Sequence, residues 1–231
     1  MIIPDLPLIP TSGLLVLIGG GEFSFGETRE IDEFLLARMP ADNRTIAFLP
    51  TASGSSDYAV HLHAYFQQID PSVKVANVPI YRGRDGRRAR NLDLLWSAGL
   101  IYIGGGVTQQ LLAPVKGTPV EATLRSAQDR GVNIAAMGGA ASAFGRVYRA
   151  VGMAGTAEGL NWLRESVIEP NFSDDVPLRR LMSDPGIKLG LGIPRSTALA
   201  IGRDGSGEVL GPGKIVVMRR NREEATGNSQ Q

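Results

Sequence analysis

The sequence predicts an α/β fold, a three-layer αβα sandwich with a mainly parallel central sheet. Three observations carry that prediction. Short apolar, β-branched runs recur along the chain as far as Met137, each followed by a segment with helical spacing. The runs are apolar on both faces, as strands covered by helices on both sides must be. Four of them end in glycines or small residues, at Gly19–Gly21, Ala52–Gly54, Gly104–Gly106 and Gly138–Ala141.

The elements follow in order. "LLVLI" (Leu14–Ile18) is the first strand, and the segment after its glycines sets Ile31, Phe34, Leu35 and Met39 on one helical face. Thr45–Leu49 is the second strand; it runs into "PTASGSS", after which Asp57 is placed to cap the helix "YAVHLHAYFQQI". "VKVANVPI" behind Pro71 is the third. A short amphipathic helix around Leu92–Trp96 precedes the fourth, Leu100–Ile103. Pro119 opens a helix that reaches Arg130, Gly131 stops it, and "VNIAAM" is the fifth strand. Beyond about residue 150 glycine and proline loosen the pattern. "TALAIG" and "KIVVMR" are expected there to pair as antiparallel additions at one edge. No repeat or long linker interrupts the chain, so one domain over residues 1–220 is expected, with 221–231 as a frayed tail.

Composition narrows the function. With 231 residues, 43% hydrophobic and 20% charged, the chain can bury a sizeable core as an ordinary soluble protein. A net charge of +1 supplies no global field for nucleic acid or membrane. The absence of cysteine removes thiol catalysis, thiolate metal sites and disulfides, and fits a cytoplasmic protein. The apolar start "MIIPDLPLIPTSG" has no basic region of a signal peptide, and no run reaches membrane-spanning length. Glu165, Glu169, Asp174 and Asp175 lack metal-ligand periodicity, and "GGGEFSFGE" has neither Walker nor G-x-G-x-x-G spacing. No metal and no cofactor are expected.

Open parallel sheets bind ligands beyond the carboxyl ends of their strands, so the four glycine turns predict a crevice on one sheet edge. Acyl transfer there would need a nucleophile, a base, an acid to orient the base, and oxyanion donors. Bases are scarce. His61 and His63 are the two histidines, about 200° apart around one helix. They read as surface residues of an amphipathic helix.

Several stretches resemble peptidase family S51, which includes cyanophycinase and the aspartyl dipeptidase peptidase E. "LVLIGGGE" is similar to the family's opening strand and turn, and "IAFLPTASG" to its second. "IYIGGGVTQQLL" resembles the Gly-Gly-Gly-Asn-Thr run, with Val107 at the asparagine. "GLNWLRESVIEPNFSDDVPLRRL" and "LGLGIPRSTALAIG" resemble the later motifs, in order, to about residue 202. The resemblance implies a fold like that of class I glutamine amidotransferases.

It also implies where catalytic groups should stand, and those positions are vacated. The family's serine falls on Gly138 without a gap, or on Ala140 if the motif is slid to its first glycine. Its histidine falls on Asn171, and an amide is no base near neutral pH. Its acidic pair falls on Pro194 and Arg195. Ser142, four residues past Gly138, would sit about 6 Å along a helix axis from the working position, against a reacting distance of about 3 Å.

The expectation is therefore a non-catalytic relative that binds a small molecule or peptide, with Gly105, Gly106, Thr108, Gly138, Gly139 and Asn171 as the ligand-binding residues. An alternative is an active serine hydrolase with a relocated nucleophile, drawn from Ser142, Thr51, Ser53, Ser55 and Ser56 with His61 as base. A second is an oligomeric scaffold without small ligand; a homodimer is expected in either binding or scaffold form. Arg82, Arg84, Arg87, Arg88 and Arg90 form a basic cluster that reads as a solvated loop, with an anionic ligand or acidic partner as the functional alternative.

Overall fold

A computed structural model describes residues 1–152 and 155–220. The expected tail at 221–231 lies outside the described residues. The first half comprises β1 (Ile2–Ile3), β2 (Leu15–Ile18), α1 (Arg29–Ala37), β3 (Thr45–Leu49), α2 (Asp57–Ile69), β4 (Lys74–Asn77), α3 (Ala89–Trp96) and β5 (Leu100–Ile103). Next come α4 (Thr108–Val115), α5 (Pro119–Asp129), β6 (Asn133–Met137), α6 (Gly139–Ser142), β7 (Val147–Arg149) and β8 (Thr156–Glu158). The chain closes with β9 (Ser166–Pro170), α7 (Val176–Leu181), β10 (Leu189–Ile193), β11 (Ala198–Ile201), β12 (Gly207–Leu210) and β13 (Val216–Arg219).

The main sheet orders its strands β1-β12-β11-β2-β6-β5-β3-β4. β2, β6, β5, β3 and β4 are parallel, and β11, β12 and β1 extend one edge antiparallel. Strand periodicity assigns the faces. Val16, Ala135, Tyr102 and Phe48 form one rung of the register and enter the layer with α1 and α2. The next rung, Leu17, Ala136, Ile103 and Leu49, enters the opposite layer with α3, α4 and α5. These are the three layers the sequence predicts. α5 begins as expected, with Pro119 in its first turn and the Thr118 hydroxyl accepting the Val120 N–H.

A second sheet, ordered β13-β10-β9-β7-β8, was not legible in the sequence. One side of it joins the main core through Ile168, Leu189, Leu191 and Ile193. The other is covered by Leu178, Leu181 and Met182 around α7. This corrects the expected pairing of "TALAIG" with "KIVVMR". β11 lies between β2 and β12 in the main sheet, whereas β13 pairs antiparallel with β10. The hairpin through Asp204 and Gly205, with Gly205 at φ 73°, gives β11 a neighbour close in sequence, so β12 takes that edge.

The start of α2 also differs from expectation. Asp57 is its first helical residue and does not cap it; Ser56 holds the cap position without a side-chain bond. The Ser55 hydroxyl instead accepts the Asp57 N–H at 3.2 Å. Among the described residues no helix is long and apolar enough to cross a membrane.

Candidate functional site

Because β2, β6, β5 and β3 are parallel neighbours, the four turns that follow them meet along one sheet edge. A cavity of about 410 Å³ opens there, and its lining includes Gly104–Gly106, Gly138 and Gly139. Four aromatic rings, Phe23, Phe48, Tyr58 and Tyr102, also line it, with Phe48 against Gly104. A second cavity of about 600 Å³ adjoins it and shares Gly106, Gly139 and Asn171 with the first. Of the expected ligand-binding residues, Thr108 alone lines just the second cavity, and its hydroxyl is committed to the Gly139 carbonyl at 2.8 Å. It ties α4 to α6.

The strand-to-helix turn after β6 is sharp. Gly138 has φ 55° and ψ −125°, a conformation that costs side-chain-bearing residues strain. A Cβ built on it would meet no atom within 4 Å, so a side chain here would project freely, and none is present. Gly139 is glycine for a different reason: its Cβ would collide with the Gly106 carbonyl oxygen. Of the two expected nucleophile positions, Gly138 lines the first cavity, while Ala140 is packed in the core.

The partner positions surround the same opening. Asn171 takes a left-handed conformation (φ 50°), its N–H donates to the Gly19 carbonyl at 2.7 Å, and its side chain lies against Gly20. Arg195 lines the first cavity and pairs with Glu27 at 2.6 Å. A hydrogen bond from the Glu22 N–H and this Arg195 contact hold the Glu27 carboxyl below the usual range. Pro194 packs its carbonyl against Gly19 and is not among the residues lining either cavity.

The alternative nucleophiles are scattered. Ser142, the last residue of α6, lines the second cavity together with Arg149 and Glu169. Those two pair at 2.6 Å, and burial raises the Glu169 carboxyl against the pull of Arg149. Thr51 is buried with an unpartnered hydroxyl, and Ser53 donates to the Pro50 carbonyl at 2.9 Å. Ser55, Asp57 and His61 line a concavity beside the aromatic wall, yet no hydrogen bond joins His61 to either. His63 departs from the surface reading. It is half-buried, and its Nδ1 accepts the Val75 N–H at 3.2 Å, which ties α2 to β4.

Sequence reasoning missed two features. One is the aromatic wall, whose signal lies in the strand alternation that puts Tyr102 and Phe48 on one rung. The other is beneath it: buried Asp32 accepts hydrogen bonds from Thr28 at 2.7 Å and Tyr65 at 2.9 Å. Burial pushes its carboxyl up to about 7, against those hydroxyls, which lower it. Burial and the Asp32 charge raise the Tyr65 and Tyr102 hydroxyls in turn. Asp32 Oδ1 and the Tyr102 hydroxyl close no hydrogen bond.

The arginine cluster is organised by one acid. Buried Asp85 accepts the N–H groups of Tyr81 at 3.2 Å and Arg82 at 3.0 Å, and pairs with Arg88 at 3.5 Å. The five arginines are exposed around it.

Known proteins share this frame. The crystal structure of a peptidase from an acI-B1 Actinobacterium superposes with a TM-score of 0.75 at 20% identity, over 90% of this chain and 91% of that one. A protein assigned as a peptidase E of Listeria monocytogenes EGD-e gives 0.56 at 14% identity, over 90% and 99%. In sequence, the chain is 31% identical over 124 residues to the uncharacterized peptidase YgaJ of Bacillus subtilis (strain 168). That match takes in 52% of this chain and spans about half the length of the relative, 51%. The model of peptidase family S51 matches residues 15–199, the span that holds every strand facing the crevice, and on that match the chain belongs to peptidase family S51.

Proposed function

We propose that this chain is a non-catalytic member of its family that binds a small molecule or peptide in the crevice at Gly105, Gly106, Gly138, Gly139 and Asn171. The observation that carries this reading is Gly138. Its backbone has the sharp bend that would present a nucleophile, its Cβ direction is open, and it has no hydroxyl. Asn171 and Arg195 beside it supply neither a base nor an acid. Losing even one member of a nucleophile–base–acid set costs several orders of magnitude in rate. The test is hydrolysis of Asp-X dipeptides, a cyanophycin-like polymer and an activated ester, run beside fluorophosphonate labelling. No turnover and no labelled serine are expected; turnover lost in Ser142→Ala would overturn the reading.

A relocated hydrolase is the second reading, favoured by the shared concavity of Ser55, Asp57 and His61. The same labelling decides it. Stoichiometric modification of Ser55 that disappears in His61→Ala would establish it.

A further inference from the structure

We infer that the first cavity selects an aromatic residue of a peptide, or a compound built like one, with a flat ring beside an uncharged carbonyl, over an acidic side chain. This names the ligand class of the crevice and rests on its being a binding site.

The shape comes from the register. Phe48 and Tyr102 share a rung next to the strand ends, with ring centroids 6.3 Å apart. Phe23 and Tyr58 continue the wall, edge to face at 6.0 Å; Tyr58 is its exposed ring, and Phe23, Phe48 and Tyr102 are buried behind it. Rings pack favourably against such edges at centroid distances of about 4.5–7 Å. The glycine turns complete the lining with exposed backbone, Gly104 directly against the Phe48 ring and Gly105 beside the Met137 side chain. The cavity is a slot bounded by rings and glycine backbone, with the Met137, Asn171 and Arg195 side chains also on its lining.

The polarity is specific too. Among the described residues, no acceptor takes the N–H groups of Gly105, Gly106 or Gly139, all of which line the slot. A ligand that displaces water from them must bring an acceptor oxygen. Charge decides which kind of ligand brings it. Among the described residues Arg195 is the cation lining the slot, and it is already engaged by Glu27 at 2.6 Å, while Glu22 lines the same space. An acidic side chain would compete with Glu27 for Arg195 and face Glu22. A neutral carbonyl beside an aromatic ring meets neither obstacle.

The test uses the full chain labelled with 15N-glycine, titrated with N-acetyl-phenylalaninamide and N-acetyl-aspartate amide. Expected is saturable movement of glycine amide signals with the phenylalanine compound, which binds at least about tenfold tighter than the aspartate compound. Tyr58 is exposed at the start of α2, so Tyr58→Ala and the more conservative Tyr58→Leu leave the core intact. Each should weaken the aromatic ligand by up to about tenfold, the worth of one aromatic pairing, without weakening the aspartate compound. Equal or tighter aspartate binding at the same glycines would overturn the ligand class while leaving the crevice a binding site. An aromatic affinity unchanged in both Tyr58 variants would overturn the assignment to this wall. No glycine movement with either compound would overturn the binding reading itself.

Discussion

Replacing Asp32 by asparagine should remove a pH dependence of stability that the natural chain carries between about pH 4 and 7. The carboxyl has no exposed surface, and burial lifts it from 3.8 to about 7. A raised pKa means that the folded state holds the proton more tightly than the unfolded state. Stability from this group is therefore full below pH 3.8 and falls as pH rises, until it is spent near pH 7. A shift of about three units at 1.36 kcal/mol each sets the total at about 4 kcal/mol. Asparagine cannot ionise, yet its carbonyl oxygen can still accept from Thr28 and Tyr65. Urea unfolding of both proteins from pH 4 to 8 isolates the effect, because carboxylates common to both cancel in the difference. Asp70, lowered to about 2 by hydrogen bonds from Ser72 and then Arg44, has the opposite sign and acts below this window. Its contribution is present above 3.8 and is lost as pH falls toward 2. The asparagine variant should gain on the natural protein steadily from pH 4 to 7. A difference that stays constant across that range would refute the assignment of a buried, titrating Asp32.

Gly138→Ala should lower stability by about 1–3 kcal/mol by thermal or urea unfolding, because φ 55° strains alanine even though its Cβ meets no neighbour. Gly139→Ala should cost about 1–3 kcal/mol by overpacking, and should move the Gly106 turn as well, visible as shifted amide signals at Gly105 and Gly106. Phe144→Ala should be the most destabilising of the three, by about 3–5 kcal/mol. The ring is fully buried and meets Trp162 edge to face at 5.0 Å.

The legible parts of the fold are those in which local pattern and tertiary environment agree. Leu15–Ile18, Thr45–Leu49, Leu100–Ile103 and Asn133–Met137 are buried on both faces, so their apolar runs announce them. β10 announces nothing, because "LGLGI" alternates with glycines whose space is filled from outside. A Cβ at Gly190 would strike the Met182 side chain, and one at Gly192 the Phe172 ring. The partner of β13 is set by the second sheet and not by its neighbour in sequence, so local pattern does not reveal it. At the site, the positions of Gly105, Gly106, Gly138, Gly139 and Asn171 could be named from motif order, and the structure places all five around one cavity. Thr108 and Ala140 differ, since one is spent on a carbonyl and the other on the core.

What the sequence determined by itself is covalent. There is no hydroxyl at 138, no imidazole at 171 and no carboxylate at 194 or 195, and no folding can add one. Its apolar runs likewise committed the chain to strands covered on both faces. Only the tertiary structure decided that Phe48 and Tyr102 share a rung, that Phe23 and Tyr58 complete their wall, and that Asp32 is deprived of water. Those properties depend on which distant segments pair and in what register. A shift of one residue in β3 or β5 would turn Phe48 or Tyr102 to the other face.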